Sequence, residues 1–150
     1  MKSGEVCNRE AVFTYEHERV DEAAKLMRKH HVGSLVVVAK DDARGLVPVG
    51  MLTDRDIVVE VLTAGLDYRT VTVGEIMSRD PVSVSEEEDV LEALKIMRRR
   101  GVRRLPVITR TGTLAGIVTI DDLLELFAEQ LDDLVKAIAS EQSREVRARV

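Results

Sequence analysis

The chain has 150 residues, 45% of them hydrophobic, so its length fits one domain or two small domains that share a core. It carries 22 Lys and Arg against 27 Asp and Glu, and the net charge of -5 argues against a protein that coats nucleic acid or anionic membrane with its whole surface. With 3% aromatic residues and no Trp, the sequence also lacks the stacking surfaces that bind single-stranded bases.

The cysteine content, the histidine spacing and the apolar stretches narrow the class of protein further. The single cysteine, Cys7, forms neither an internal disulfide nor a multi-thiolate metal site. Together with Cys7, the histidines His17, His30 and His31 match no zinc-ligand spacing, so we expect no metal site. The N-terminal residues lack a signal-peptide pattern, and the longest apolar stretch, Leu35–Ala39, is far shorter than the roughly 20 residues of a membrane span. We therefore expect a cytoplasmic protein.

The sequence contains an internal repeat with an offset of about 70 residues. Residues 20–28 (VDEAAKLMR) align with residues 90–98 (VLEALKIMR). Further along, the offset falls to about 66, which aligns residues 50–57 (GMLTDRDI) with residues 116–123 (GIVTIDDL). The first copy therefore carries about four extra residues in the polar stretch 40–45, where a surface loop accommodates an insertion.

Each copy is predicted to form, in chain order, a strand, a helix, two strands and a second helix. In the first copy, residues 35–38 (LVVV) are apolar on both faces, which predicts a strand that is covered on both sides. In the second copy, Ser85 and the three glutamates after it form a capping-box pattern, which predicts the start of a helix that ends at Gly101. Tyr15 occupies the position of Ser85 in the first copy, so we expect that helix to lack the cap.

A hairpin over residues 104–118 and a helix from about Ile120 complete the second copy. Apolar residues recur at spacings of three or four from Leu124 to Ile138, which predicts a helical extension that packs within the module or against a second copy. From Glu141 onward the sequence is charged, and we expect a frayed end. The expected domains are a first repeat at 1–68, a second repeat at 69–131, and an extension with its tail at 132–150.

Both copies contain the pattern Gly-apolar-apolar-Thr-x-x-Asp where a strand meets a helix. One interpretation is a capping box, in which Thr and Asp satisfy free backbone groups at the helix start. Ligand binding is favoured over it, because capping boxes prefer Glu or Gln at the third position and a glycine in each strand would let another molecule approach the backbone. The helix start and its hydroxyl suit a phosphate, and the carboxylate can accept bonds from vicinal hydroxyls.

This doubled motif resembles a pair of cystathionine-β-synthase (CBS) domains, the regulatory arrangement called a Bateman module, over roughly residues 4–131. The resemblance implies an α/β (α+β) fold with two β-α-β-β-α repeats packed through their sheets with pseudo-two-fold symmetry, plus a C-terminal helical extension. It also implies that the Thr contacts phosphate, the Asp holds ribose hydroxyls and adenine lies against neighbouring strands. A second family pattern, apolar-x-x-apolar-Pro, ends at Pro106 in the second copy, whereas the first copy has Val36 there.

Two ligand sites follow from the resemblance, each assigned to one repeat. The predicted residues of site 1 are Val12, Thr14, Gly33, Ser34, Gly50, Thr53, Arg55 and Asp56. The predicted residues of site 2 are Val82, Val84, Arg103, Arg104, Pro106, Gly116, Thr119, Asp121 and Asp122. Arg103 and Arg104 would neutralise phosphates where the first copy has only Gly33 and Ser34. Because side chains alternate along a strand, we expect one of the two arginines to face the cleft.

No catalytic residue is predicted, because the sequence lacks a phosphate-binding loop, a nucleophile elbow, a Cys-x-x-Cys pair and a His-Glu-x-x-His helix. We expect a regulatory module that binds AMP, ADP, ATP, NAD(H) or S-adenosylmethionine, with or without Mg²⁺. It would form a homodimer through its helices and the Leu124–Ile138 stripe, and would act on an unidentified effector protein. Two alternatives stay open: a nucleic-acid-binding protein that uses the basic cluster Arg98–Arg104, and a ligand-free scaffold that uses the apolar stripe.

Overall fold

Two halves with the same order of elements make up the fold, and a computed structural model describes residues 1–149. The first half contains α1 (Ser3–Val6), β1 (Phe13–Tyr15), α2 (Val20–His30), β2 (Ser34–Asp41), β3 (Gly45–Thr53), α3 (Asp54–Ile57) and a π-helical turn (Val58–Leu62). The second half contains α4 (Val73–Ile76), β4 (Ser78–Arg79), β5 (Val84–Ser85), α5 (Val90–Arg100), β6 (Arg104–Ile108), β7 (Leu114–Thr119) and α6 (Ile120–Arg149).

The strands form two sheets of similar topology. One sheet has the order β1-β2-β3-β4, and the other has the order β5-β6-β7. In both sheets the first strand is parallel to the second, which pairs antiparallel with the third. The sheets are in contact through β3 and β7. The predicted fold class, with two β-α-β-β-α repeats and a C-terminal helical extension, is confirmed.

The first residues of each half pack on the other half. Near the N-terminus, the backbone N–H of Ser3 donates to the Glu88 carbonyl at 2.7 Å. Asn8 exchanges two backbone hydrogen bonds with Ile117 of β7, at 2.8 and 2.9 Å. Correspondingly, β4 lies near the start of the second half and pairs with β3 of the first. Each packing unit therefore contains residues from both predicted domains, whose boundaries stay a prediction.

The hydrophobic core is divided in the same way. The buried side chains of the first core are Ala23, Met27, Leu35, Val37, Leu52, Val73 and Met77. The buried side chains of the second core are Cys7, Val84, Val90, Ala93, Met97, Leu105, Val107, Val118 and Leu123. Cys7 thus belongs to the second core and Val73 to the first, because the leading segments are exchanged. Residues 35–38 are all at most 1% exposed, which confirms a strand covered on both sides.

The cap of α5 differs from the prediction. The Asp89 carboxylate accepts a hydrogen bond from the first helical turn at 2.8 Å. Ser85 lies too far before the helix to cap it, and its hydroxyl instead accepts from the Glu87 backbone N–H at 3.2 Å. The predicted capping box at Ser85 is therefore wrong. The first-half helix α2 has no side-chain cap, as expected, and Gly101 ends α5 with a positive φ of 65°.

The last helix, α6, is a single helix of 30 residues. The frayed end predicted from Glu141 is not observed, and ion pairs one turn apart stabilise the helix at Asp132–Lys136 and Glu145–Arg149. Every residue from 128 to 149 is exposed, so this part of α6 extends away from the two cores. Among the described residues, no helix combines the length and the hydropathy that a membrane span requires.

Because the N-terminal segment lies close to Gly116, any side chain at this position should destabilise the protein. A Cβ atom there would lie 2.5 Å from the Asn8 carbonyl oxygen and 2.8 Å from the Cys7 sulfur. Gly116→Ala should therefore lower the free energy of unfolding by about 3 kcal/mol in urea denaturation, since the segment must move. Gly65→Ala is the matched control, because only its positive φ of 69° opposes a side chain, at a cost of about 1 kcal/mol. Equal losses for the two variants would contradict the close approach.

Candidate functional site

Both Thr-x-x-Asp motifs form reciprocal capping boxes at the starts of α3 and α6. The Thr53 backbone N–H donates to Asp56 Oδ2 at 2.9 Å, and the Asp56 N–H donates to Thr53 Oγ1 at 3.1 Å. The corresponding distances for Thr119 and Asp122 are 2.8 and 3.2 Å. The sequence favours a ligand site over a capping box, and the structure shows that the box is formed in both copies. The short Asp side chain suffices here because each helix begins directly after its strand.

Capping leaves part of each motif free for a ligand. The Thr hydroxyl accepts one bond within the box and keeps its own proton, while the Asp keeps its second carboxylate oxygen. All four side chains are half-buried rather than covered. Each motif therefore holds a helix start and also presents one hydrogen-bond donor and one acceptor in fixed positions.

One cavity of about 250 Å³ contains the second of these motifs, Thr119 and Asp122. Its full lining is Asn8, Glu10, Ala11, Val12, Val32, Gly33, Ser34, Arg104, Ile117, Thr119 and Asp122. Three residues predicted for site 1, Val12, Gly33 and Ser34, thus lie with the Thr–Asp pair predicted for site 2. This cavity therefore combines residues that the sequence assigned to two different sites, and the assignment of residues to each site stays a prediction.

The exchange of the leading segment explains this regrouping. Because Asn8 pairs with Ile117 of β7, the chain between Asn8 and β1 runs along the second half before it enters the first. Ser34, at the start of β2, is opposite Thr53 in the β2–β3 register and also lines the cavity. The start of β2 is therefore close to its own motif and to the cavity that contains the motif of the other repeat.

The two arginines at the start of β6 have different surroundings. Arg104 is half-buried and lines the cavity, opposite Thr119 in the β6–β7 register. Arg103 is exposed, and its guanidinium lies 3.9 Å from Asp121, which is also exposed. Arg104 thus supplies the cavity with a positive charge, whereas Arg103 and Asp121 lie outside its lining. Arg55, in the first repeat, is also exposed and outside the lining.

Several other predicted site residues belong to the protein interior. Thr14, Val84 and Pro106 are buried in β1, β5 and β6 and are not among the cavity-lining residues. Val82 packs against the second core. Strand positions alternate between the two faces of a sheet, and these side chains are on covered faces. Their side chains are therefore not part of this cavity's lining, and their place in the ligand sites stays a prediction.

The motif glycines are close to another segment of backbone, as expected, but that segment belongs to the chain itself. A Cβ atom on Gly50 would lie 2.6 Å from the Met77 sulfur and 2.7 Å from the Ser78 carbonyl oxygen. Asn8 occupies the same place beside Gly116. The glycines therefore allow the exchanged segments to pair with β3 and β7, and the predicted opening for a ligand at these positions is not present.

Five cavity residues were not predicted from the sequence: Asn8, Glu10, Ala11, Val32 and Ile117. Residues 8–11 come next to β7 through a pairing across more than 100 residues, which no local pattern indicates. Val32 and Ile117 directly flank predicted positions, so examining the neighbours of each motif would have found them.

A larger cavity of about 490 Å³ lies between α2 and the π-helical turn. Its walls are mainly aliphatic, with Val20, Ala24, Val61 and Leu62, and it contains neither Thr-x-x-Asp motif. Two further cavities, of about 530 and 540 Å³, are larger still, so size alone does not identify the ligand site. The cavity around Thr119 combines a hydroxyl, a carboxylate and a guanidinium, so we place the candidate site there.

No group of three or more His, Cys, Asp and Glu side chains within residues 1–149 is arranged to hold a metal ion. His17 stacks on Tyr15 with 5.6 Å between the ring centroids, and His30 and His31 are exposed. Burial raises the pKa of the Cys7 thiol, so this cysteine is a poor metal ligand and a poor nucleophile near neutral pH.

Comparison with protein families identifies both halves. A family model described as CBS domain matches residues 4–63 and again residues 73–129. The chain therefore belongs to the CBS domain family, and the resemblance seen in the sequence is confirmed.

Related proteins align with most of this chain. Hypoxic response protein 1 of Mycobacterium tuberculosis is 41% identical over 126 residues, which cover 83% of this chain and 85% of that protein. An uncharacterized protein of Methanopyrus kandleri is 38% identical over 123 residues, 82% of this chain but only 61% of that protein. A match to inosine-5'-monophosphate dehydrogenase of Korarchaeum cryptofilum covers 22% of that enzyme.

Three solved structures share the fold. The crystal structure of Hypoxic Response Protein I with two coordinated zinc ions has a TM-score of 0.72 and 39% identity, covering 83% of this chain and 98% of that one. A CBS domain protein from Pyrobaculum aerophilum complexed with AMP has a TM-score of 0.73 and 28% identity, covering 85% and 99%. A CBS domain pair in complex with 5'-methylthioadenosine and S-adenosyl-L-methionine has a TM-score of 0.73 and 25% identity, covering 87% and 98%.

The capping role of the motif gives a prediction that needs no ligand. Thr119→Val removes the hydroxyl that accepts from the Asp122 N–H, so it should lower the free energy of unfolding by about 1 kcal/mol. Thr119→Ser keeps the acceptor and should stay close to wild type. Urea denaturation of the ligand-free protein measures both. A serine variant as unstable as the valine variant would show that the hydroxyl does not stabilise the helix start.

Proposed function

We propose that the chain is a regulatory module that binds an adenosine-containing ligand in the 250 Å³ cavity. The observation that carries the proposal is the meeting of Arg104, Thr119 and Asp122 in one cavity with the apolar wall at Val12. The complexes of related CBS proteins with AMP, 5'-methylthioadenosine and S-adenosyl-L-methionine support the same class of ligand.

Each part of such a ligand has a matching group. The Arg104 guanidinium and the free Thr119 proton suit a phosphate at the start of α6, where the helix dipole also favours negative charge. The free oxygen of Asp122 suits the ribose hydroxyls, and Val12 and Val32 suit one face of adenine. A volume of about 250 Å³ is at the small end of ligand pockets, which favours a mononucleotide over a dinucleotide such as NAD(H).

The cleft at the other motif would have a different composition. In the repeat alignment, Arg103 takes the place of Gly33, and Ser34 takes the place of Arg104. Ser34 offers no positive charge to a phosphate at the place of Arg104, and Arg103, at the place of Gly33, is paired with Asp121 at 3.9 Å. We therefore infer that AMP binds first, and most tightly, at Thr119 and Asp122, and more weakly at Thr53 and Asp56.

The position of the cavity between the two halves suggests how ligand binding would change the conformation of the module. Its walls come from both halves, so a bound ligand bridges them and favours the arrangement in which the walls are at the right distance. The exposed apolar side chains of the helices, such as Val58 and Leu62 beside the larger groove, would then transmit the change to a second copy or to an effector protein in the cytoplasm. In this role the chain regulates and does not catalyse.

A thermal-shift series tests the function directly. A ligand that binds only the folded state raises the melting temperature, so AMP and 5'-methylthioadenosine should stabilise the protein, with ADP, ATP, NAD(H) and S-adenosylmethionine as comparisons with and without Mg²⁺. GMP is the control for the base. No shift with any adenosine compound would reject the proposal and favour a ligand-free scaffold, whereas a shift only with RNA, lost at high salt, would favour nucleic-acid binding.

The ribose assignment is tested by replacing one carboxylate at a time. Asp122→Asn keeps an oxygen for the capping bond but loses the charge, so AMP affinity should fall about thirtyfold by calorimetry. Asp56→Asn, the matched variant of the other motif, should leave this binding step unchanged. Equal affinity of the Asp122 variant and wild type would remove Asp122 from the site.

The phosphate assignment is tested by comparing two ligands. Arg104→Gln removes the guanidinium, and AMP affinity should fall about tenfold because a charged hydrogen bond is lost. Adenosine has no phosphate, so its affinity should stay the same. The exposed Arg103 gives the control variant Arg103→Gln, which should bind AMP at Thr119 and Asp122 as wild type does. A parallel loss of adenosine binding by the Arg104 variant would indicate structural damage instead.

A further inference from the structure

The candidate cavity opens to solvent at one edge, where Asn8 and Glu10 lie. These two are the exposed members of the cavity lining, whereas the other nine lining residues are half-buried. Phosphate, ribose and adenine are matched by other residues of the lining, which leaves Glu10 without a role. A charged residue at this opening meets whatever part of a ligand extends out of the cavity.

The position of Glu10 is fixed by the backbone. Its N–H donates to Asn8 Oδ1 at 2.9 Å, and the Asn8 backbone pairs with Ile117 of β7. The adjacent Arg9 does not neutralise Glu10, because its guanidinium lies 3.6 Å from the Glu86 carboxylate. Among the described residues, Glu10 belongs to no ion pair shorter than 4 Å. Its negative charge at the cavity opening is therefore uncompensated.

A second carboxylate lies beside another wall of the cavity. Asp54, the first residue of α3, donates its backbone N–H to the Gly33 carbonyl at 2.9 Å. A Cβ atom on Gly33, which lines the cavity, would lie 3.1 Å from Asp54 Oδ2. Asp54 is exposed and, like Glu10, has no ion-pair partner within 4 Å in the part of the chain that the structure describes. We call Glu10 and Asp54 the anionic rim.

The positive charge available to a ligand is limited to one guanidinium. Arg104 is the only base among the described residues that line the cavity, and no carboxylate of residues 1–149 pairs with it within 4 Å. Arg103 is outside the lining and pairs with Asp121 at 3.9 Å. Arg104 and the start of α6 together suit a single phosphate. Further phosphates would find no second lining base and would approach the anionic rim.

We propose that the anionic rim makes the cavity selective for the number of phosphates, so that it accepts AMP and disfavours ATP. Each phosphate beyond the first adds negative charge near two uncompensated carboxylates, and like charges that lie close together lower affinity and so give specificity. This selectivity rests on the proposed function, because it takes the Arg104 end of the cavity as the phosphate position. Such a module would bind the monophosphate even in the presence of the triphosphate.

Affinities for a ligand series measure this selectivity. Calorimetry on the full chain with adenosine, AMP and ATP, in the absence of divalent cations, should show that the wild type binds ATP about tenfold more weakly than AMP. Glu10→Gln removes one rim charge, so the ratio of the ATP to the adenosine dissociation constant should fall about fivefold. Adding Asp54→Asn should lower this ratio to about a tenth of the wild-type value. Raising the salt concentration from about 0.02 to about 0.5 M should remove most of the difference between wild type and variants, because exposed charges are screened.

Two matched variants separate the effect of charge from that of shape. Glu10→Asp keeps the charge and should keep the wild-type ratio. Glu129→Gln makes the same change in net charge as Glu10→Gln, at an exposed position of α6 outside the cavity lining, and should also keep the ratio. A Glu129 variant with the same shift as the Glu10 variant would show a general effect of net charge and overturn the proposal.

The remaining outcomes are equally decisive. An unchanged ratio in Glu10→Gln, a fall caused only by weaker adenosine binding, or a fall that persists at high salt would each overturn the role of the rim. ATP binding as tight as AMP binding in the wild type would overturn the selectivity and leave the proposed function intact. Failure of all three ligands to bind the wild type would reject the proposed function and the selectivity together.

Discussion

The backbone pairing of Asn8 with Ile117 is the constraint on which the rest of the structure depends. It requires the neighbouring Gly116 to have no side chain. It attaches the first residues of the chain to the last strand, and β4 makes the equivalent attachment to β3. Each small half thereby buries part of the other in its core. Two units of about 65 residues, each marginal by size, become one cooperative unit of about 130.

The same pairing determines the composition of the candidate site. Because the chain runs along β7 before it enters β1, the wall that carries Val12 is adjacent to the motif at Thr119 rather than to the one at Thr53. The walls of this cavity come from both halves, so the proposed ligand would contact both at once. Under the proposed function, variants that loosen the Asn8–Ile117 pairing would therefore weaken both ligand binding and the fold.

The sequence predicted the elements and the motifs well because these depend on neighbouring residues. The repeat revealed two similar halves, and the apolar run at residues 35–38 identified a buried strand. The sequence did not indicate that residues 8–12 lie in one cavity with Thr119, since the pairing of residues 8 and 117 leaves no local pattern. The cap of α5 was assigned to the wrong residue because hydroxyls and carboxylates that look alike in sequence differ in their distance to a helix start, as Ser85 and Asp89 show.

The position of Asp122 in the first turn of α6 makes the helix a lever. Its carboxylate fixes the direction in which the helix leaves β7, and the helix continues for about 45 Å as a rod. A rotation of about 5° at this point would displace the far end by about 4 Å, comparable to the spacing of side chains along a packed helix. A very small adjustment of the cavity walls would thus move the C-terminal end of α6 by several ångströms, far enough to change its contacts with any neighbouring surface.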